Sequence, residues 1–187
     1  MAQWPPMSSP RPDAAALLRA RRHTLRDVIA PGLRVVFCGI NPGLYSTAVG
    51  HHFGRPGNRF WPVLHGAGFT DRVYSPHEDR ALLAQGYGIT NLCARTTARA
   101  EELTPDELAR GARTLTAKVR RHKPRVLAIL GVGAYRAAFA CPRATLGLQP
   151  EGVGGVRVFV LPNPSGLNAH YGLPALVQHF GELRRLA

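Results

Sequence analysis

The sequence predicts an α/β fold, an open and mainly parallel sheet with helices packed on it. Three observations carry that prediction. Four short, nearly continuous apolar runs recur along the chain. Helical patterns separate them. Capping residues, Gly and Pro mark where those helices start and stop.

The four runs are expected as strands at residues 34–40, 87–92, 125–130 and 156–161. Val35-Val36-Phe37, Val126-Leu127-Ala128-Ile129-Leu130 and Val158-Phe159-Val160-Leu161 lack the polar alternation of a half-solvated strand. Parallel strands covered on both faces have this composition. The clearest helix starts at Thr104, where Thr104 and Glu107 have capping-box spacing and Pro105 fits the first helical position. Leu108, Ala112, Leu115 and Val119 follow on one face. Arg120, Arg121, His122 and Lys123 complement the dipole at its end, and Pro124 stops it. Shorter helices are expected at 58–65, 77–85 and 133–140, and a last one at 173–186 with Leu176, Val177, Phe180 and Leu183 inward. Strands alternating with helices imply right-handed crossovers, and ligands then bind beyond the carboxyl ends of the strands.

Composition narrows the partners. The chain has 187 residues, 45% of them hydrophobic, which suits one domain at 24–187. Residues 1–23 are expected as a flexible extension, rich in Pro up to about residue 12, with a short basic helix at 13–22. No apolar run approaches the roughly 18 residues of a membrane span, and no secretory h-region is present. An intracellular, cytoplasmic protein without membrane contact is expected. Lys and Arg number 24 against 11 Asp and Glu, a net charge of +13. Such a bias favours polyanions, because neutralising phosphates releases counterions. Cys38, Cys93 and Cys141 form no C-x-x-C pair, so neither a zinc nor an iron–sulfur site is expected. Cys38 is expected as a small core residue. His51 and His52 have no carboxylate near them in sequence and are expected in solvent.

Two strand-end loops share a text. Gly39-Ile40-Asn41-Pro42-Gly43-Leu44 follows the first strand, and Pro162-Asn163-Pro164-Ser165-Gly166-Leu167 follows the fourth. Pro holds the preceding Asn extended, and Gly lets the backbone approach a ligand. Gly131-Val132-Gly133 hints at a dinucleotide loop, but Arg136 stands where a third glycine belongs and no acidic residue follows at ribose-binding distance. Close helix–strand packing is the simpler reading of those glycines. No nucleophile signature is present, so an active site here works mainly by positioning.

These blocks together resemble the mismatch-specific uracil/thymine DNA glycosylases. The resemblance runs through Val28-Ile29-Ala30-Pro31-Gly32-Leu33, the Asn41 loop, Asn58-Arg59-Phe60-Trp61, Gly66-Ala67-Gly68-Phe69-Thr70, Gly88-Ile89-Thr90-Asn91-Leu92 and Asn163-Pro164-Ser165-Gly166-Leu167. It covers roughly Thr24 to Leu186. It implies a three-layer αβα sandwich and a cofactor-free, monomeric enzyme. The implied substrate is double-stranded DNA carrying a mismatched or damaged base, with single strands as a further candidate. The implied reaction hydrolyses the N-glycosidic bond of a flipped base to start excision repair. Uracil opposite guanine leads, followed by thymine and damaged cytosines.

By the same resemblance Asn41 holds the attacking water, where broader uracil glycosylases have Asp. Phe53 stacks on the flipped base. Gly43 stands where broader enzymes use a Tyr against the thymine methyl. Ile40 and Asn91 give backbone groups to the pocket rim. Asn163, Pro164, Ser165, Gly166 and Leu167 form the loop that wedges the duplex. Many members carry an Arg two residues after that Leu, but here Ala169 stands there, followed by His170. Asn168 or His170 is the candidate substitute. Two readings stay open beside this one: a Rossmann-like protein using a nucleotide cofactor, and a mismatch binder that releases no base.

Overall fold

A computed structural model describes residues 11–187. Of the extension expected at residues 1–23, residues 1–10 lie outside the described residues. The helices among the described residues are α1 (Ala14–Ala20), α2 (Leu44–Val49), α3 (Phe60–Gly66), α4 (Pro105–His122), α5 (Val132–Ala138) and α6 (Leu173–Leu186). The strands are β1 (Val35–Gly39), β2 (Tyr87–Asn91), β3 (Val126–Leu130), β4 (Gly147–Leu148) and β5 (Arg157–Leu161). They form one sheet in the order β2-β1-β3-β5-β4, parallel except for β4 at the edge. This is the expected α/β sandwich, with strand ends one residue inside several of the expected bounds.

Side-chain alternation along the central strands feeds two cores. Val35, Phe37, Ala128, Leu130, Phe159 and Leu161 face α3 and α6, where Phe60, Trp61, Leu64, Leu176, Phe180 and Leu183 are buried. Val36, Cys38, Leu127, Ile129, Val158 and Val160 face the opposite way, onto Ala112, Leu115 and Val119 of α4 and Tyr135 of α5. Both faces are dry, which is why the strands read as unbroken apolar runs. Cys38 is fully buried there, and desolvation raises its pKa far above that of a free thiol.

Three elements differ from expectation. The helix expected at 77–85 is wound as 3₁₀ turns over Pro76–Gln85. Pro76, Asp79 and Leu82 are its buried residues, a spacing of three that a 3₁₀ winding puts on one face. Helix α2 and edge strand β4 were not expected. Each is very short, and α2 starts inside the Gly43 turn. The short basic helix does form as α1. It packs against α2 with Ala20 buried, and His23 beyond it accepts a hydrogen bond from Thr96 Oγ1 at 2.7 Å. No helix among the described residues is long and apolar enough to cross a membrane.

Candidate active site

The carboxyl ends of β1, β2 and β5 surround a cavity of about 540 Å³. Its lining brings together Ile40, Asn41, Gly43, Phe53, Asn91, Asn163, Ser165 and Leu167, which are far apart in sequence. Pro164 and Gly166 lie beside them in the same loop. An adjoining cavity of about 480 Å³ opens over β3 and shares Ile40, Asn163 and Asn168.

Asn41 is fixed by the loop that follows β2. Its Nδ2 donates to the Arg95 carbonyl at 2.8 Å and to Thr97 Oγ1 at 2.7 Å. Thr97 Oγ1 in turn donates to the Arg99 carbonyl at 2.7 Å, so towards Asn41 it accepts. A carbonyl cannot donate, so the amide has one orientation. Oδ1 keeps its acceptor capacity, with no described residue donating to it. Backbone bonds close the same seam: Leu44 N–H on the Thr97 carbonyl, Thr97 N–H on Pro42, and Cys93 N–H on Ile40. Of the Ile40 backbone groups expected at the pocket rim, the carbonyl is therefore already engaged.

Asn91 differs from expectation in a useful way. A Cβ added at Gly39 would meet its Oδ1 at 2.6 Å, so the side chain, not only the backbone, lies across the cavity floor. No described residue hydrogen-bonds that amide. At Gly43 a Cβ would meet nothing within 4 Å, so the space beside Asn41 is open.

Phe53 stacks on buried Phe60, with ring centroids 3.9 Å apart and planes 23° apart. Its backbone sits in the left-handed region at φ 52°. A non-glycine residue is held there only by surrounding structure. Those restraints were hidden from sequence. Asp79 accepts from the His52 backbone N–H and from His51 Nδ1, each at 3.3 Å. Ser46 Oγ accepts from Gly54 N–H at 3.0 Å. His52 is buried, and its Nε2–H donates to the Arg26 carbonyl at 2.9 Å. Desolvation lowers its pKa and keeps the ring neutral, although the Arg26 carbonyl, Asp79 and Asp27 oppose that shift. The expectation that both histidines stand in solvent is corrected: their carboxylate lies 27 and 28 residues away.

The Asn163–Leu167 loop is built from local turns. Asn163 Oδ1 accepts from Ser165 N–H at 3.0 Å, Ser165 Oγ from Leu167 N–H at 3.3 Å, and Asn168 Oδ1 from His170 N–H at 3.2 Å. Arg59 anchors it from outside, donating to the carbonyls of Ser165, Asn168 and Tyr171. A Cβ on Gly166 would come within 2.6 Å of the Gly57 carbonyl oxygen, so only glycine fits that approach. Leu167 is left 67% exposed, which rules out packing beneath α6. Asn168 also donates to the Asn163 carbonyl at 2.9 Å, so its amide is tied inside the loop. His170 remains exposed. Gly131, at φ 126°, turns the chain into α5, whereas a Cβ on Gly133 would meet nothing. The packing explanation therefore holds for neither: backbone conformation accounts for Gly131, and Gly133 faces open space.

Residues 26–184 match the model of the uracil DNA glycosylase superfamily. The chain belongs to that superfamily. It is accordingly a DNA N-glycosylase, with DNA as its substrate. The glycosylase is also similar to the solution NMR structure of a "putative Uracil DNA glycosylase" from Methanosarcina acetivorans. The TM-score is 0.60 at 18% identity, covering 88% of this chain and 97% of that one. That likeness is one of fold.

Proposed function

We propose that this glycosylase removes uracil mispaired with guanine from duplex DNA, and that thymine and damaged cytosines also enter its pocket. The carrying observation is the Asn41 amide. Both of its N–H groups are engaged by Arg95 and Thr97, and only Oδ1 is left to accept from water. A neutral amide cannot take a proton as a practical general base. The C1′–N bond therefore breaks ahead of water attack. Its electron pair leaves with the base as an anion, the sugar becomes oxocarbenium-like, and the held water adds to C1′ and gives its proton to solvent. No step needs a cofactor.

The other roles follow the geometry. Phe53, backed by Phe60, offers a stacking platform for the flipped base. The free Asn91 amide pairs with its polar edge. The open space at Gly43 admits a 5-methyl group. Leu167 fills the gap in the duplex, since an apolar wedge between base steps is a known unstacking device. Flipping costs a few kcal/mol, less at a mismatch, which favours mispaired bases. His170 is the remaining candidate for contact with the opposite strand. Residues 24–187 act as a single monomeric domain on DNA inside the cell.

The test is alkali cleavage of duplexes carrying uracil, thymine or a damaged cytosine opposite guanine, with uracil opposite adenine and single strands as comparisons. Strand breaks are expected first at G·U. Binding to G·U without breaks on any substrate would overturn the reading.

A further inference from the structure

The glycosylase carries a second basic surface, at the end of the sheet opposite the cavity. Val35 pairs with Val126 and Val126 with Arg157 across β1, β3 and β5. Adjacent strands lie about 4.8 Å apart. Arg34 and Arg125 thus stand level at the amino ends of β1 and β3, and Arg157 follows one register step on, at the start of β5. Helix α4 brings Arg120, Arg121 and Lys123 to the same edge. Lys123 closes the helix in the left-handed conformation, and Arg125 N–H bonds the Leu33 carbonyl at 2.9 Å. All of these except Arg34 are exposed. Arg34 is half-buried over the Tyr87 ring. Among the described residues none of the six forms an ion pair.

The helix dipole accounts for only part of this. It rewards cations in the last turn of α4, which are Arg120 and Arg121. Arg125 and Arg157 belong to strands, and crowding like charges opposes compaction. Nor does the edge serve the cavity. From Arg125 to Gly131 the chain runs along β3 for about 20 Å at its usual rise. That exceeds two screening lengths of about 8 Å at physiological salt. A phosphate at the cavity mouth hardly senses these charges.

We propose that this edge binds the phosphate backbone of a second DNA segment. The enzyme then touches a new duplex before releasing the one at its site. The proposal rests on DNA as the substrate and is independent of which base is excised.

The experiment uses the full chain and a variant with Arg120→Gln, Arg121→Gln, Lys123→Gln and Arg125→Gln. The readout is the rate of leaving a labelled uracil-free duplex as unlabelled duplex is added. Wild-type release should accelerate several-fold with competitor, and release of the variant should not. Excision of uracil from a short duplex should be unchanged in the variant. A companion with Arg120→Lys, Arg121→Lys and Arg125→Lys keeps the charge and should behave as wild type; if the fourfold Gln variant folds poorly, Arg121→Gln with Arg125→Gln carries the test and should lose most of the response. Wild-type release indifferent to competitor, or a Gln variant that still responds, would overturn the proposal. So would a parallel loss of short-duplex excision, which would place the edge within the main site. Polyglutamate at equal charge is the last competitor: acceleration matching that by DNA would replace the duplex with an acidic protein.

Discussion

The two Asn-Pro loops of this protein share a text and differ in how they are held. Asn41 is locked by a neighbouring strand's loop, through Arg95 and Thr97, residues 54 and 56 positions away. Asn163 is held by its own next residues, Ser165 and Asn168, and the loop around it by one remote side chain, Arg59, on the Ser165 and Asn168 carbonyls. The first loop is a fixed seam between β1 and β2. The second is a peninsula with an exposed Leu at its tip. The water-holding role proposed for Asn41 needs a side chain that does not move, because small misplacements are expensive for catalysis. The wedge role proposed for Leu167 needs a side chain that reaches outward. The shared text supplies extended Asn and permissive Gly in both places, and the surroundings make the difference.

The largest effect should come from breaking the fixed seam. Asn41→Ala removes the acceptor and should lower single-turnover excision about 100-fold or more. Duplex affinity should hardly change, since the amide offers little contact area. Single-turnover rates beside a binding titration check this. Rates near wild type would move catalysis elsewhere, with Asn91 the next place to look.

The peninsula should fail at its single anchor. Arg59→Met keeps the aliphatic stem and deletes the donors to Ser165, Asn168 and Tyr171. Carbonyls left without partners cost about 1–3 kcal/mol, and the loop should loosen accordingly. Duplex excision should fall about tenfold, the equivalent of roughly 1.4 kcal/mol, with single-strand excision much less affected. Limited proteolysis should cut near Asn168 in the variant alone. Arg59→Lys should restore little, because an ammonium lacks the planar fork. Equal losses on both substrates would show that Arg59 serves the whole domain.

These contrasts also mark what was legible in the sequence. The sheet was, because strands buried on both faces announce themselves as apolar runs. The α4 start was, because Thr104, Pro105 and Glu107 are local signals. The candidate residues came from a family resemblance; eight of them line the cavity, and Pro164 and Gly166 lie beside it. Their restraints could not be named. Asp79 gripping the Phe53 loop, Arg59 gripping the Leu167 loop and Thr97 orienting Asn41 are contacts across tens of residues, and no periodicity encodes them. Helix α2 and strand β4 were missed because they are too short to carry a pattern.

A smaller effect tests the tip of the peninsula. Leu167→Ala should lower duplex excision several-fold and leave single strands nearly unchanged, because only a duplex has a stack to hold open. Leu167 is 67% exposed, so no cavity forms and melting temperature should stay put. Adding Asn168→Ala should loosen the turn and not remove a contact to the opposite strand, whereas His170→Ala should remove one. An unchanged duplex-to-single-strand ratio in Leu167→Ala would remove the wedge from the mechanism.

The smallest effect concerns acid and the Phe53 loop beside the fixed seam. His52 lies in the loop that carries Phe53, its pKa lowered first by burial, with His51 acting the same way and the Arg26 carbonyl, Asp79 and Asp27 acting against it. Above the ordinary histidine value of about 6.5 both the folded and unfolded chains are neutral at this position, and its contribution to stability is complete. As pH falls below that value the unfolded chain takes up the proton first. Stability then declines, by no more than about 1.4 kcal/mol per pH unit for one proton, and levels off below the folded value. His52→Gln keeps a donor for the Arg26 carbonyl and removes the titration. Its melting temperature should therefore fall less than that of wild type between neutral and mildly acid pH. A His52→Gln slope equal to that of wild type would mean that acid acts elsewhere, and the loop carrying Phe53 would lose its claim to be the pH-sensitive half of the site.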